Sequence, residues 1–219
     1  MSLLLNVPYA EKDEAKKLGA RWNPDLKKWY VSYKKDYYKF QKWILNSLDS
    51  TYIICDYLYI IEGIHTCFRC KKQTKVICFG VENFFDVVDS SSYNTKNAFD
   101  YESGEIHIVS YIEQIPASLL DYLKKRYNYY YDYSKFAEKS YYANHCQNCS
   151  VLQGNNYLFS ETNTPFFISG SAKASKLTLY RIKLNYDIQA DIEIEWGDHD
   201  YLIKQCAQIH DLDNMDLSI

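Results

Sequence analysis

The first 45 residues alternate between short apolar runs and turn residues in a way that predicts a compact β-α-β-β-α module. The predicted elements are a strand at residues 3–7, a helix at 10–18, a strand that starts at Arg21, a strand at 28–31 and a helix at 35–45. Gly19 falls where a left-handed cap would end the first helix, and residues 23–25 (Asn-Pro-Asp) are a turn signal. The second helix is predicted to bury Tyr38, Phe40, Trp43 and Ile44.

The rest of the chain predicts a mainly β body with inserted helices. Strands are expected at residues 52–63, 76–79, 106–112, 176–184 and 191–196, with a long polar loop at 86–105 and a short helix at 201–209. A helix that begins at Pro116 is predicted from apolar side chains at helical spacing, namely Leu120, Leu123, Tyr127 and Tyr131. The predicted fold class is therefore α+β, with a small basic domain at residues 1–48 and a zinc-binding domain at 49–219.

Charge is distributed unevenly along the 219 residues. The whole chain has a formal net charge of −3, but residues 1–45 hold ten Lys/Arg against five Asp/Glu, which leaves the remainder at −8. The protein is therefore predicted to carry a basic N-terminal module on an acidic body, with acidic residues concentrated towards its C-terminal part. No apolar run is long enough for a membrane span and no export signal is evident, so we expect a cytoplasmic protein with no membrane partner.

Two Cys-x-x-Cys pairs provide the strongest chemical signal in the chain. Cys67 and Cys70 form the first pair, and Cys146 and Cys149 form the second about 75 residues later. Four thiolates suit Zn²⁺, which favours sulfur ligands and tetrahedral geometry. Since four cysteines fill the coordination shell, the sequence predicts one structural zinc ion, held between two hairpin turns as in a zinc ribbon or treble clef.

Other interpretations of the cysteines remain open at this stage. Either pair could be a redox dithiol, although the βαβ context of thioredoxin-like motifs is missing. The pairs could also bind metal separately or not at all. Cys78 is a possible substitute ligand, whereas His65 and His145, which lie just before the pairs, are expected to stay outside the shell.

Cations and aromatic residues are interleaved in the N-terminal module, a pattern that favours single-stranded nucleic acid because charge follows phosphates and rings stack on bases. The predicted nucleic-acid-binding residues are Tyr9, Lys16, Lys17, Arg21, Lys27, Lys28 and Trp29, with Trp22 beside them. In the alternative interpretation, Trp22 and Trp29 form the core of a tiny domain and the lysines simply face solvent. The 23 tyrosines of the chain similarly indicate either a stacking surface or a nucleotide bias in the source genome.

The same module resembles a small domain of unknown function found in plasmid-transfer DNA primases and other proteins of mobile elements. The motifs that carry the resemblance are Val7-Pro8-Tyr9, Glu11-Lys12-Asp13-Glu14-Ala15, Leu18-Gly19-Ala20-Arg21-Trp22 and Lys28-Trp29-Tyr30. The match covers about one fifth of the chain and implies an association with DNA-handling proteins. It supplies no catalytic residues. Residues 141–154 also resemble the second zinc knuckle of uncharacterised bacterial zinc-binding proteins, which names no activity.

Together these patterns predict a non-catalytic zinc-binding protein that binds nucleic acid in a bacterial mobile-element or phage-related context, without a small-molecule cofactor. Two alternatives remain. The protein could be a protein–protein interaction adaptor with a purely structural zinc. It could also be a metal-dependent nuclease that uses the acidic cluster in residues 191–200, which contains Asp191, Glu193, Glu195, Asp198, His199 and Asp200. Because Asp191, Glu193 and Glu195 alternate with apolar residues, the simpler interpretation of this cluster is the solvated face of a strand.

Overall fold

The computed structural model describes residues 1–44, 51–87 and 99–212. These residues form an α+β fold that is mostly strand, as predicted. The strands are β1 (Leu3–Leu5), β2 (Arg21–Asn23), β3 (Lys28–Val31), β4 (Thr51–Thr66), β5 (Gln73–Val87), β6 (Phe99–Glu102), β7 (His107–Ile112), β8 (Tyr129–Ser134), β9 (Lys139–His145), β10 (Leu152–Gln153), β11 (Thr178–Lys183), β12 (Ile188–Glu195) and β13 (Gln208–Asp211). The α-helices are α1 (Lys12–Lys17), α2 (Ala117–Tyr127), α3 (Asn156–Phe159), α4 (Ser171–Ala174) and α5 (Tyr201–Cys206), and 3₁₀ helices span Tyr9–Glu11 and Lys34–Trp43.

A long antiparallel hairpin organises the body. β4 pairs with β5 from Thr51–Val87 at one end to Thr66–Gln73 at the other. On its second edge β4 pairs with both β11 and β12, and β12 returns to β5 through β7. The pairings of β4, β5, β7 and β12 therefore close on themselves, while β6 and the β11–β13 pair extend the sheet on either side. β-Branched and aromatic residues dominate these strands and bury the inner face.

Helix α2 covers this core with side chains at the predicted helical period. Leu119, Leu123 and Tyr127 are fully buried and pack against residues of β4, β5, β7 and β12. The predicted apolar face was shifted by one residue at its start, because Leu119 rather than Leu120 is buried. It was also too long: Asn128 adopts a left-handed conformation (φ 53°) that caps the helix, and Tyr131 lies on β8, where it is exposed.

Three further sequence predictions are corrected by the structure. The last helix of the N-terminal module is a 3₁₀ helix, and it buries Tyr37 where Tyr38 was expected. The predicted loop at 86–105 contains the end of β5 and all of β6, although residues 88–98 lie outside the described part of the chain. The predicted helix at 201–209 ends at Cys206, because the chain then adds β13 in parallel to β11.

The N-terminal module shares a hydrophobic core with the body. Its own sheet has the order β1-β3-β2, and the buried face of that sheet packs with the 3₁₀ helix Lys34–Trp43 against β4 and β5. Leu3, Leu5 and Tyr37 are at most 1% exposed, as is Ile53 from the body. The predicted domain boundary between residues 48 and 49 lies outside the described residues.

Candidate metal centre

The structure brings the four predicted ligands together. The sulfur atoms of Cys67, Cys70, Cys146 and Cys149 all lie within 4.8 Å of one another. Two of the separations, Cys67 to Cys149 and Cys70 to Cys146, are 3.7 Å. A tetrahedron with Zn–S bonds of about 2.3 Å has edges of about 3.8 Å, so the thiols are already spaced as such an ion requires. All seven cysteines are free thiols, so no disulfide competes for these sulfurs.

Each Cys pair lies at the tip of a β-hairpin, and the two tips have the same backbone geometry. The first joins β4 to β5, and the second joins β9 to β10. The matching hydrogen bonds join Cys67 N to Lys72 O (3.0 Å), Lys71 N to Cys67 O (3.0 Å), Cys146 N to Val151 O (2.9 Å) and Ser150 N to Cys146 O (2.8 Å). Lys71 and Ser150 both have positive φ, 60° and 55°. The prediction of a Cys-bearing turn on each hairpin is confirmed.

The electrostatics of the cluster favour a bound cation. Burial opposes ionisation of Cys146, but the backbone N–H groups of Asn148 and Cys149 favour its thiolate and lower its pKa to about 6. The backbone N–H of Val151 acts in the same way on Cys149, yet burial and the neighbouring sulfur atoms raise the pKa of Cys149 to about 11. Four thiolates this close repel one another unless a positive ion lies between them. The donor set is therefore one for a soft divalent ion.

His65, His145 and the remaining cysteines do not belong to the four-cysteine cluster. His145 is buried, its Nδ1 lies 3.0 Å from the carbonyl oxygen of Ala143, and its ring stacks on Tyr130 at 3.7 Å. Cys78 is buried in the hydrophobic core between β4, β5 and β7. The four cysteines therefore form the group without the two histidines, as expected, and Cys78, which the sequence left open as a substitute ligand, also lies outside it.

Side chains that the sequence analysis missed hold the two hairpins in register. Asn144 on β9 is buried and hydrogen bonds to both backbone groups of Ile77, with its Oδ1 accepting from the N–H at 2.7 Å and its Nδ2 donating to the C=O at 2.8 Å. The hydroxyl of Thr74 accepts from Gln147 N at 2.9 Å. Gln153, fully buried, donates from Nε2 to the Cys67 sulfur at 3.6 Å. Because these contacts join segments far apart in the chain, no local sequence motif predicts them.

Asn144 provides a direct test of this coupling. Asn144→Ala removes both partners of the Ile77 peptide groups, and each buried group left without a hydrogen bond costs about 1–3 kcal/mol. We expect the free energy of unfolding to fall by about 2–5 kcal/mol, as measured by urea denaturation of the metal-loaded protein. The control is Gln147→Ala, which removes a single exposed side-chain bond to Arg126 O. Equal stability of the two variants would contradict a clamping role for Asn144.

Two carboxylates of the acidic cluster of residues 191–200 are used within the fold, whereas Glu193, Glu195 and Asp198 are exposed. Asp191 is buried and accepts a hydrogen bond from Thr51 Oγ1 at 3.1 Å, so the prediction of a solvated face is wrong for this residue. Asp200 is also buried, and its carboxylate contacts His107 Nδ1 at 2.8 Å and Gly197 N at 3.2 Å. Across residues 1–44, 51–87 and 99–212, the four cysteines are the one group of three or more His, Cys, Asp or Glu side chains close enough together to hold an ion.

The predicted nucleic-acid-binding residues lie on the 3₁₀ helix Tyr9–Glu11, on α1 and on the β2–β3 hairpin. The exposed ones are Tyr9, Lys16, Lys17, Arg21 and Lys27, and Lys28 is half-buried with its Nζ on Asn6 Oδ1 at 2.6 Å. The β2–β3 register places Arg21 and Lys28 on one face of the sheet and Trp22 and Trp29 on the other.

The two tryptophans differ in environment. Trp29 is half-buried and packs against the core of the module, whereas Trp22 is 49% exposed and meets Trp29 edge-on at 5.6 Å. The fully packed tryptophan is Trp43, whose indole N–H hydrogen bonds to Glu11. A binding role for Trp29 stays a prediction.

No helix of the described ranges is long and apolar enough to cross a membrane.

Comparison with known proteins concerns the N-terminal module. Residues 3–44 match the family described as "Domain of unknown function (DUF5710)". A protein from Escherichia coli named DNA primase TraC is 56% identical to this chain over 39 residues, which are 18% of this chain and 3% of that protein. A second Escherichia coli protein of that name is 54% identical over 39 residues, 18% of this chain and 4% of that protein.

The chain thus covers only a small part of the curated relatives that it matches. No solved structure matches it. The predicted resemblance of the N-terminal module to a domain of plasmid-transfer DNA primases is therefore confirmed, and it extends over residues 3–44.

Proposed function

We propose that this protein is a non-catalytic, zinc-binding protein of mobile-element biology that binds single-stranded nucleic acid through its N-terminal module. In this proposal the zinc ion is structural. It joins the β4–β5 and β9–β10 hairpins, because a site with four cysteines leaves no open position for substrate or water. The similarity of 39 residues of this chain to a protein named DNA primase TraC supports a partner among nucleic acids.

The observation that carries the proposal is a set of cations without carboxylate partners. The ion pairs of the described residues neutralise other lysines of the module: Lys34 pairs with Asp56, Lys39 with Asp36, and Lys42 with both Glu11 and Glu14. None of these pairs involves the lysines and arginine predicted to bind nucleic acid: Lys16, Lys17, Arg21, Lys27 and Lys28. Their charge is available for phosphates, which dominate the affinity of such complexes.

Charge reversal at three of these positions tests the proposal. We expect the wild-type protein to bind labelled single-stranded DNA and the combined variant Arg21→Glu, Lys27→Glu, Lys28→Glu to lose at least about a hundredfold in affinity at low salt. The reason is that each lost phosphate contact also removes the gain from counterion release. The measurement is fluorescence anisotropy of the zinc-loaded protein across a salt series, in which the wild-type slope gives the number of phosphates contacted.

The matched control makes the same charge change on the body. Lys125, Lys135 and Lys183 are exposed and occur in none of the ion pairs of the described residues. Their combined replacement by glutamate should leave DNA binding within a few-fold of the wild type. If the two triple variants bind equally well, the N-terminal surface is not the binding site. If the wild-type protein binds no single-stranded nucleic acid at low salt, a protein partner becomes the better interpretation.

A further inference from the structure

A cleft lies where the N-terminal module meets the body. It has a volume of about 520 Å³ and is bounded by the 3₁₀ helix Lys34–Trp43 on one side and by the β5–β6 ribbon on the other. The residues that line it are Lys34, Lys35, Asp36, Tyr38, Phe85 and Phe99. Four of these residues come from the module and two from the body.

The ribbon presents its aromatic side to this cleft. Phe85 pairs with Tyr101 and Val87 with Phe99 across β5 and β6, so that these four side chains share one face. The ring of Phe85 lies 4.7 Å from that of Tyr101 and 6.3 Å from that of Phe99. Phe85 is 9% exposed, but Tyr101 is 42% exposed and leaves one edge of the stack open to solvent.

The acidic residues of the ribbon lie on its other face. Asp86 pairs with Asp100, and Glu102 lies opposite Phe84, so alternation directs these carboxylates away from the aromatic face. Burial and the charges of the other two hold the pKa of Asp86 above its usual range. The ribbon thus separates a negative face from an aromatic one.

The helix side of the cleft supplies positive charge. Lys34 lies 5.8 Å from the centre of the Tyr101 ring and is held by Asp56 at 2.7 Å. Lys35 is exposed, lies 5.7 Å from the Tyr33 ring and occurs in none of the ion pairs of the described residues. The one carboxylate in the lining, Asp36, is neutralised by Lys39 at 2.7 Å. Lys35 is therefore the cation of the cleft that a phosphate can approach.

We propose that this cleft takes bases of the bound single strand, with a base stacked on the half-buried Phe99 and the exposed ring of Tyr101, beside the buried Phe85, and with its phosphate near Lys35. The inference rests on the proposed function and adds to it a second, base-contacting part of the surface that the N-terminal module cannot form alone. A charged groove combined with stacking rings is the general arrangement for sequence-tolerant binding of single strands.

Tyr101→Leu separates stacking from charge, because it removes a ring without changing any charge. Base–aromatic stacking is worth about tenfold in affinity or somewhat more. We expect Tyr101→Leu to weaken binding of a thymine oligomer about tenfold, to leave the slope against salt unchanged, and to have no effect on an abasic oligomer of equal length. Lys35→Glu should weaken binding of both oligomers and flatten the salt slope. Fluorescence anisotropy with both oligomers measures all of these quantities.

Two variants control for structure. Tyr101→Phe keeps the ring and should bind the thymine oligomer as the wild type does, and Tyr133→Leu changes a tyrosine on β8 that is similarly exposed, at 55%, and should bind normally. If Tyr101→Leu binds both oligomers like the wild type while the Arg21, Lys27 and Lys28 triple variant does not bind, the cleft is wrong and the proposed function stands. If the wild type binds neither oligomer, both proposals fail.

Discussion

We expect Cys146→Ser to abolish the proposed zinc binding and, with it, to remove most of the protein's stability. Structural zinc sites contribute about 10–16 kcal/mol of apparent binding free energy at neutral pH, whereas whole domains are stable by about 5–15 kcal/mol. The Cys146 sulfur lies 3.7 Å from that of Cys70 on the other hairpin, so its loss opens the junction between the two. We expect less than one tenth of the wild-type zinc content, measured by mass spectrometry of the purified protein, and a cooperative melting transition that is lost or lowered by more than about 10 °C.

The control for this substitution is Cys206→Ser. Cys206 is half-buried at the end of α5 and does not belong to the four-thiol group. It should keep one zinc ion per chain and melt close to the wild-type temperature. A strong chelator should reproduce the effect of Cys146→Ser on the wild-type protein, and added zinc should reverse it. Full zinc occupancy in Cys146→Ser would show that the four sulfurs do not share one ion.

The four-cysteine group could be predicted from the sequence because its chemistry is local. A Cys-x-x-Cys turn brings two sulfurs together over four residues, so Cys67 with Cys70 and Cys146 with Cys149 are recognisable without the rest of the fold. What the sequence does not reveal is how the two turns meet. That depends on Asn144 bonding to Ile77 and on Gln153 reaching Cys67, contacts across 67 and 86 residues of chain.

The same difference between local signals and contacts across distant segments explains the errors in the predicted fold. The period of apolar residues identifies helix α2, but its end depends on Asn128 adopting a left-handed conformation, after which Tyr131 continues as a strand. Strands β6 and β13 are short and polar, and each exists because it lies beside a longer strand, β5 or β11. Asp191 looks like a surface residue from its alternation with apolar neighbours. It is buried because Thr51, 140 residues away in sequence, provides its partner.

Cutting the chain at the predicted domain boundary will destabilise the body and leave the module unfolded. Residues 1–48 are close to the lower size limit for independent folding, about 40 residues, and they share their core with the body. Without them, the body exposes Ile53, Phe85 and Val87, all buried in the intact protein. Each such side chain is worth about 1.5–3 kcal/mol. We expect residues 49–219 alone to lose at least about 4 kcal/mol of stability and residues 1–48 alone to show no cooperative thermal transition by circular dichroism.

The junction between the N-terminal module and the body contains polar contacts in addition to its apolar core, and these make it specific. Asp187 in the body is buried, and its carboxylate accepts hydrogen bonds from the Tyr37 hydroxyl at 2.6 Å and from Asp56 N at 3.3 Å. Its own N–H donates to Ser2 O at 2.9 Å. Removal of the module would leave this buried carboxylate without its hydroxyl partner, which adds to the apolar cost. Mixing the two fragments should therefore restore part of the lost stability, because each supplies the surface that the other lacks. If residues 49–219 alone melt at the temperature of the full chain, the module is an independent domain and its shared core contributes nothing to the body.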